Sequence, residues 1–221
     1  MEELEKVLGY TFKDKNLLKL SLTHCSFGAE HNVPHNQRLE FLGDAVLENV
    51  ISNYIYHNFP DYDEGKLSRL RASVVSEDPL SSAAEKINLS KFVLLGAGEQ
   101  ATGGAHKPSV LSDTMEAVFA AVYLDGGFFE AQKVILKVMD EILKNPNERA
   151  LDFKTALQEY LFRNGPVDID YNLISMEGPS HNAIFTVEVY CNNKFLGRGT
   201  GTSKKRAEQA AAKEAFNKLK K

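Results

Sequence analysis

The chain has 221 residues, of which 43% are hydrophobic and 25% charged, and its formal net charge is −4 at pH 7. This size fits one or two domains with hydrophobic cores, and the composition excludes a collagen-like or wholly disordered protein. No run of about 18 apolar residues predicts a membrane span, and the acidic N-terminus does not resemble a secretory signal. The widely separated Cys25 and Cys191 fit reduced thiols, so we expect a cytoplasmic protein.

The first 144 residues are predicted to form an all-helical domain, because their apolar residues recur at helical spacing and hardly ever alternate. The predicted helices cover 16–22, 38–56, 67–75, 79–87, 108–124 and 128–143. The same pattern predicts a break at 59–65, a glycine-rich loop at 96–104 and a turn at 125–127.

A polar segment at 145–150, which contains a proline, predicts a linker to a second domain at 151–221. There, strand-like alternation appears for the first time, and Asn192-Asn193 predicts a hairpin turn. The predicted elements are a helix at 153–162, strands at 171–176, 184–190 and 194–198, and a helix at 203–219. The fold class is therefore multidomain, an all-α domain followed by a small α-β-β-β-α domain.

Charge differs between the two parts. Residues 1–150 carry 15 Lys and Arg against 22 Asp and Glu, whereas residues 151–221 carry 11 against 8. An acidic domain joined to a basic one is compatible with a polyanionic partner for the basic part. Chance unevenness between two domains remains the alternative at this point.

Two pairs of carboxylates are the first chemical signal. Glu40 and Asp44 are four residues apart, and Asp113 and Glu116 three apart, so each pair shares a helix face. Apolar neighbours place both pairs near the core, where clustered carboxylates repel each other unless a cation compensates. Mg²⁺ prefers oxygen ligands, and one or two such ions can promote phosphodiester hydrolysis. The alternative is that the pairs are solvated faces of unrelated helices.

Two further polar residues belong to this part of the sequence. Gln37 lies three residues before Glu40, on the same stripe of the predicted helix. Glu64 stands in the predicted break, either as a turn residue or as a loop carboxylate that faces the same cleft. We favour the turn residue from the sequence pattern alone.

The last predicted helix begins with Ser203, Lys204, Lys205 and Arg206. Ser203 is a favourable N-cap. Three cations at a helix N-terminus oppose the helix dipole, whereas a bound phosphate is attracted both to the cations and to the N-terminal N–H groups. This segment is therefore a candidate phosphate contact, and a solvated basic turn is the alternative.

Other candidate contacts to nucleic acid lie elsewhere in the second domain. The first helix carries polar atoms that can reach ribose hydroxyls across a shallow minor groove, and the loop between the first two strands offers one histidine. These candidates are Thr155, Gln158, Glu159 and His181. For His181 the alternative is a tight turn without a functional role.

The run His35–Leu47, HNQRLEFLGDAVL, closely resembles the signature of bacterial ribonuclease III. Three further blocks of that family follow in the same order, at 63–72, 111–117 and 123–127. The C-terminal part resembles a double-stranded-RNA-binding domain through residues 154–159, 177–181 and 203–211. The resemblance covers essentially the whole chain.

This resemblance implies an endonuclease that cuts double-stranded RNA as a homodimer, with Mg²⁺ as cofactor, Mn²⁺ as an alternative metal and no other small-molecule cofactor. It implies that Asp44 and Glu116 are catalytic, that Glu40 and Asp113 complete the metal ligands, and that Glu64 lies in the catalytic valley. The cuts would be staggered and leave 5′-phosphate and 3′-hydroxyl ends. The family dimer packs the signature helices together, which suits Phe41 and the small Gly43. Processing of ribosomal RNA precursors and of structured transcripts would be its tasks, without a membrane partner.

The sequence departs from the family pattern at three places. Gln37 stands where the family has glutamate, Phe162 stands where some relatives carry a polar residue, and His106-Lys107 replaces a more arginine-rich pair. Because of Gln37, a duplex-RNA-binding protein with little or no nuclease activity is the second hypothesis. A phosphohydrolase of small molecules is the third, and the basic second domain disfavours it.

Overall fold

The computed structural model describes residues 1–144, 153–163, 165–178 and 183–219. The chain divides into two compact units, Met1–Ala150 and Leu151–Lys221, which we call the N-terminal and C-terminal units. The linker predicted at 145–150 lies outside the described residues. Among the described helices, none combines the length with the apolar character that a membrane-spanning helix needs.

Helices form the N-terminal unit, as the apolar spacing predicts. They are α1 (Glu2–Leu8), α2 (Lys15–Ser21), α3 (Cys25–His31), α4 (Gln37–Asn58), α5 (Glu64–Val75), α6 (Glu77–Lys86), α7 (Ala97–Ala101), α8 (Pro108–Gly126), α9 (Phe128–Val138) and α10 (Asp140–Lys144), with 3₁₀ turns at Leu89–Lys91 and Gly104–His106.

Helix α8 forms the centre of this unit. Proline at its first position suits a helix start, since it has no N–H that would need a partner. The helix is apolar around most of its circumference, and residues such as Leu111, Met115 and Phe119 are fully buried, as expected for a helix surrounded by others. Helices α2, α4, α6 and α9 all pack against it. Polar side chains on α8 therefore lie either at a helix crossing or at an edge of the core.

Helices α4 and α8 pack most extensively, and they touch at a glycine. A Cβ added to Gly43 would lie 1.9 Å from the carbonyl oxygen of Glu116, which is closer than any two such atoms can approach. The two backbones are therefore in direct contact there, and any side chain at position 43 would force the helices apart. Gly43 thus serves packing within one chain.

Asp125, in the last turn of α8, connects this helix to the chain segment before α2. Its carboxylate accepts hydrogen bonds from the Tyr10 hydroxyl at 2.6 Å, the Lys13 N–H at 2.8 Å and the Asp14 N–H at 2.9 Å. Asp14 in turn caps α2 by accepting from the Asn16 N–H at 2.9 Å. The end of α8 and the start of α2 are therefore joined through one carboxylate.

Several predicted boundaries are wrong, each for a local reason. Helix α5 begins at Glu64 rather than 67, because the Asp63 side chain caps it by accepting from the Lys66 N–H at 2.8 Å. Helix α8 continues through Gly126, and the chain reverses only at Gly127, where φ is +84°. The predicted helix 128–143 is interrupted at Met139, the glycine-rich loop contains α7 and ends where a 3₁₀ turn begins, and α1 and α3 were not predicted.

The C-terminal unit has the predicted α-β-β-β-α order, which confirms the predicted fold class. Its strands form one antiparallel sheet in the order β1-β2-β3, and β2 and β3 are joined by Asn192 and Asn193, both with positive φ as a tight hairpin requires. The elements are α11 (Phe153–Phe162), β1 (Ile169–Glu177), β2 (Ile184–Cys191), β3 (Lys194–Gly201) and α12 (Lys204–Leu219).

Both helices of this unit cover one face of the sheet. The core combines Val187 and Val189 of β2 with Leu157 of α11 and small residues of α12. Strand β3 is three residues longer than predicted, since Gly199 and Gly201 belong to it. A Cβ at Gly199 would lie 2.1 Å from a backbone nitrogen of α12, so glycine there allows α12 to lie directly on the sheet.

Candidate active site and nucleic-acid interface

The first carboxylate pair projects from α4. Residues Leu39, Gly43 and Leu47 form the buried face of this helix. Glu40 follows this face and is half-buried, whereas Asp44 is exposed. The expectation that every member of the two pairs lies near the core is therefore wrong for Asp44, because its side chain emerges beside the helix crossing rather than beneath it.

The start of α4 is held by a buried residue that the sequence pattern did not single out. Asn36 is 2% exposed. Its N–H donates to the Thr23 carbonyl at 2.8 Å, and its side-chain amide donates to the Ser21 carbonyl at 3.3 Å. These bonds attach the first turn of α4 to the end of α2, so that Glu40 projects from an anchored helix end.

The second pair projects from α8, where Asp113 and Glu116 are half-buried among fully buried neighbours. The backbone contact between Gly43 and Glu116 brings this pair next to the first. The hypothesis that the two pairs belong to unrelated helices is therefore wrong. We call the four side chains the carboxylate cluster: Glu40, Asp44, Asp113 and Glu116.

The four carboxylates of the cluster interact electrostatically. The pKa of Glu116 rises to about 8, first because the side chain is buried and then because three negative charges surround it, those of Asp44, Asp113 and Glu40. Burial also raises the pKa of Glu40, and the charge of Asp113 adds to the effect. The four carboxylates therefore form one interacting group with an excess of negative charge.

Burial is also the largest influence on the pKa of Asp113, and two neighbouring groups oppose it. Burial raises the pKa of Asp113, whereas the Ser112 hydroxyl, 3.3 Å away, and the charge of His24 act to lower it. His24 is the N-cap residue of α3, where its Nδ1 lies 3.2 Å from the Ser26 backbone nitrogen. Sequence reasoning missed this histidine, since it lies far from Asp113 in the chain and in no predicted element.

The cluster fits a divalent cation by its chemistry. Carboxylate oxygens are the donors that Mg²⁺ prefers, and a cation would relieve the repulsion that raises the pKa of Glu116. Among the residues that the structure describes, however, no three His, Cys, Asp or Glu side chains are grouped closely enough to hold an ion as they stand. Charge interactions extend beyond ligand distances, so binding requires side-chain movement toward the ion.

The two accessory candidates lie at helix starts. Gln37 is the first residue of α4 and is exposed. Glu64 is the first residue of α5, also exposed, and its carboxylate accepts a hydrogen bond from the Ser68 hydroxyl at 2.8 Å. The prediction that Glu64 is a turn or loop residue is therefore wrong, because the Asp63 cap extends α5 over it.

The pair before α8 is only partly available to a partner. His106 ends a 3₁₀ turn and is exposed. Lys107, by contrast, forms an ion pair with Glu99 at 2.7 Å and also approaches the Thr102 hydroxyl at 3.3 Å. The lysine charge is therefore compensated within the chain.

In the C-terminal unit, the candidate contacts on α11 form one exposed face. Thr155, Gln158 and Glu159 are all exposed, and Phe162 and Arg163 continue this face at the end of the helix. Together these five residues line an open cleft of about 450 Å³. The buried residues Phe153 and Leu157 of the same helix face the core instead.

The candidate phosphate contacts surround the start of α12. The Ser203 hydroxyl accepts from the Arg206 N–H at 3.3 Å, which is the predicted N-cap. Lys204, Lys205 and Arg206 are exposed, and the Arg206 guanidinium donates to the Thr202 hydroxyl at 2.9 Å. His181, the remaining candidate, lies outside the described residues.

Both units match known families. Residues 14–142 match the family described as "Ribonuclease-III-like", and residues 153–219 match the double-stranded RNA binding motif. A "Ribonuclease 3" from Clostridium perfringens is 43% identical over 98% of this chain and 93% of that protein. A "Ribonuclease 3" from Enterococcus faecalis is 44% identical over 98% of this chain and 96% of that protein.

A solved structure agrees with these matches. The nuclease domain of ribonuclease III from Campylobacter jejuni is 45% identical, with a TM-score of 0.61, and the alignment covers 63% of this chain and 96% of that one. The matches extend over both units, and they include the helices that carry the carboxylate cluster. The chain therefore belongs to the ribonuclease III family, and it is an endoribonuclease with a double-stranded-RNA-binding motif.

Proposed function

We propose that the protein hydrolyses phosphodiester bonds of double-stranded RNA in a Mg²⁺-dependent reaction that leaves 5′-phosphate and 3′-hydroxyl ends. The observation that supports this most is the carboxylate cluster at the crossing of α4 and α8, where burial and mutual repulsion raise the pKa of Glu116 to about 8. Such an excess of negative charge is costly for folding, and it is useful to a protein that binds cations.

The four side chains of the carboxylate cluster would hold the metal, with Mn²⁺ as an alternative to Mg²⁺. When bound, such ions supply an activated water and stabilise the charge that develops on the phosphodiester. The chain itself provides the surroundings: Glu116 and Asp113 project from the largely buried central helix, and the exposed Asp44 lies on the solvent side, where a large substrate can approach. Gln37 and Glu64 are accessory polar residues of this site.

We further propose that residues 1–144 form the catalytic domain and that residues 151–221 bind the duplex, with 145–150 as a linker. The polar face of α11 would contact ribose hydroxyls in the minor groove, and the start of α12 would contact phosphates. His181 is retained as an additional groove contact. Since phosphate contacts dominate, affinity should fall steeply with salt concentration.

Staggered cuts on both strands require two sites, so we propose a homodimer. Phe41 on α4 supports this, because its side chain is 82% exposed on the helix that carries Glu40 and Asp44. An exposed aromatic ring of this kind is typical of an interface. In the Campylobacter jejuni relative, the nuclease domain has a structurally flexible region that is involved in dimer formation.

Sedimentation equilibrium at micromolar concentration measures the oligomeric state directly. We expect the wild type to have twice the chain mass, and Phe41→Ser to weaken the dimer by about 2–4 kcal/mol, as for a buried aromatic anchor. Phe129→Ser, another highly exposed phenylalanine at 75%, is the matched control and should remain dimeric. A monomeric wild type would contradict the proposal.

The cellular role that fits this activity is the processing of ribosomal RNA precursors and of structured transcripts, in the cytoplasm. The match to the ribonuclease-III-like family and the double-stranded RNA binding motif support this role, since base-paired RNA is what such a motif binds. The activity itself can be tested first with simple duplexes.

A 5′-labelled RNA duplex, incubated with the protein in EDTA or in Mg²⁺, tests the proposed reaction. We expect metal-dependent cleavage, and Glu116→Gln should slow it by at least about 1,000-fold because several kcal/mol of charge stabilisation is lost. RNA affinity should change little. Glu85→Gln, at an exposed glutamate of α6, is the matched control and should cleave normally.

The same assay addresses the second hypothesis, for which Gln37 is the specific observation. Binding of the duplex without scission, at any Mg²⁺ or Mn²⁺ concentration, would indicate an RNA-binding protein without nuclease activity. Full cleavage by Glu116→Gln would contradict the assignment of the site.

A further inference from the structure

Helix α11 carries one residue that does not match the polar face on which it lies. Thr155, Gln158, Glu159 and Phe162 are spaced i, i+3, i+4 and i+7, so they follow one stripe of the helix. The first three offer polar atoms. The fourth is an aromatic ring that is 43% exposed, on the side away from the core residues of the helix.

The shape around Phe162 shows that its ring forms a ridge. On one side lies the cleft of about 450 Å³ along α11, which Phe162 lines together with Gln158. On the other side, a second cleft of about 310 Å³ separates α11 from Val167, Ile169 and Tyr171, and the same two residues line it. A surface that fits along the polar stripe must therefore also contact this ring.

Unlike its polar neighbours, the Phe162 ring has no atom that accepts a conventional hydrogen bond. In the minor groove, a G·C pair presents the 2-amino group of guanine as a donor, whereas an A·U pair presents acceptors only. Thr, Gln and Glu side chains can accept from that amine, but phenylalanine cannot. An amino group that is covered by the ring loses its water without gaining an acceptor, which is unfavourable.

We propose that Phe162 determines specificity, because it favours base pairs without a 2-amino group, such as A·U, at the minor-groove step that faces the end of α11. This inference rests on the proposed binding of double-stranded RNA by the C-terminal unit. It adds one sequence-dependent position to a contact that otherwise depends on shape and on phosphates. The enzyme would consequently choose its register on a duplex partly by this step.

The test uses the full chain and RNA hairpins with a stem of about 16 base pairs, the length that such a motif spans, in EDTA so that binding is measured without cleavage. Guanine is replaced by inosine, which lacks the 2-amino group, at one position after another. Adenine is replaced by 2-aminoadenine, which gains it. At one or two positions, we expect inosine to tighten binding and 2-aminoadenine to weaken it, each by about three- to tenfold.

Two variants separate this effect from general binding. Phe162→Gln provides an acceptor, so the preference should disappear or reverse at those positions. Phe195→Gln changes a ring of similar exposure, 45%, on β3 of the same unit, and it should retain the wild-type preference.

The outcomes are distinguishable. Equal affinity for both members of every pair, with tight binding of all hairpins, would overturn the inference and leave the proposed function intact. A preference that persists in Phe162→Gln would also overturn it. Failure of the wild type to bind any hairpin would contradict the proposed function and, with it, this inference.

Discussion

Glu116 and Asp125 lie on the same helix, α8, about two and a half turns apart, yet their surroundings act on them in opposite directions. Burial would raise the pKa of Asp125, but hydrogen bonds from the Tyr10 hydroxyl and from two backbone N–H groups outweigh it, and the pKa is lowered. Around Glu116, burial acts in the same direction as three neighbouring carboxylates, and the pKa rises to about 8.

This difference separates two uses of a carboxylate. Asp125 meets donors from its own chain, so its charge stabilises the folded state and joins α8 to the segment before α2. Glu116 meets other acids, so its charge opposes folding and is available to a cation. One helix therefore carries a carboxylate at its end that its own chain stabilises, and another near its middle that its neighbours destabilise.

The largest effect on stability should come from Asp125→Asn. The amide keeps the shape, but its NH₂ group then faces an N–H donor, so at least one hydrogen bond is lost. We expect the free energy of unfolding to fall by about 1–3 kcal/mol, measured by urea denaturation at pH 7. Asp61→Asn, at an exposed aspartate of the same unit, is the control. Equal stability of the wild type and Asp125→Asn would show that the Asp125 carboxylate does not stabilise the fold.

The pH dependence of stability tests the sign of the contribution that Asp125 makes. Because the pKa of Asp125 is lowered on folding, its contribution is complete above the pKa of the unfolded chain, and it is lost as the pH falls through the lower pKa of the folded protein. The stability difference between the wild type and Asp125→Asn should therefore shrink in acid.

A smaller and opposite effect is expected for Glu116→Gln. Glutamine does not ionise, so it removes the cost of either protonating or charging this group in the folded protein. The free energy of unfolding of the metal-free protein should therefore rise by about 0.5–2 kcal/mol at about pH 8. The folded pKa of about 8 lies above the ordinary glutamate pKa of 4.5, so the unfolded chain releases this proton first. Wild-type stability should consequently decline between these pH values, and Glu116→Gln should show less of that decline.

Thermal unfolding at several pH values measures the stability difference between the wild type and Glu116→Gln. EDTA is present because a bound cation would mask the repulsion. A loss of stability in Glu116→Gln, of the size expected for Asp125→Asn, would show that both carboxylates are structural. The proposed difference between Asp125 and Glu116 would then be wrong.

The long helices could be predicted because apolar spacing carries over many residues, as in α4, α8 and α12. The short helices α1 and α3 were not predicted, although α2, of the same seven-residue length, was. Helices this short depend on tertiary contacts, so the sequence pattern says little about them. The start of α5 was missed for a related reason, because its Asp63 cap lies within what the sequence pattern indicates as a break.

For the candidate site, spacing alone placed each carboxylate pair on one helix face. That the two faces meet depends on the contact between Gly43 and Glu116, which joins distant parts of the chain. Periodicity contains no information about such a contact, and only the resemblance to a family implied it. The influence of His24 on Asp113 is equally non-local, and no motif indicated it.

The absence of a side chain at position 43 has a further consequence. Because main chain rests on main chain at this crossing, α4 cannot slide or rotate there without displacing Glu116 as well. The distance between the two helix segments that carry the acidic pairs is thus set by backbone atoms, whereas the carboxylates themselves still depend on their rotamers. Residues elsewhere in the core can change while the two helix segments that carry the acidic pairs keep their relative places.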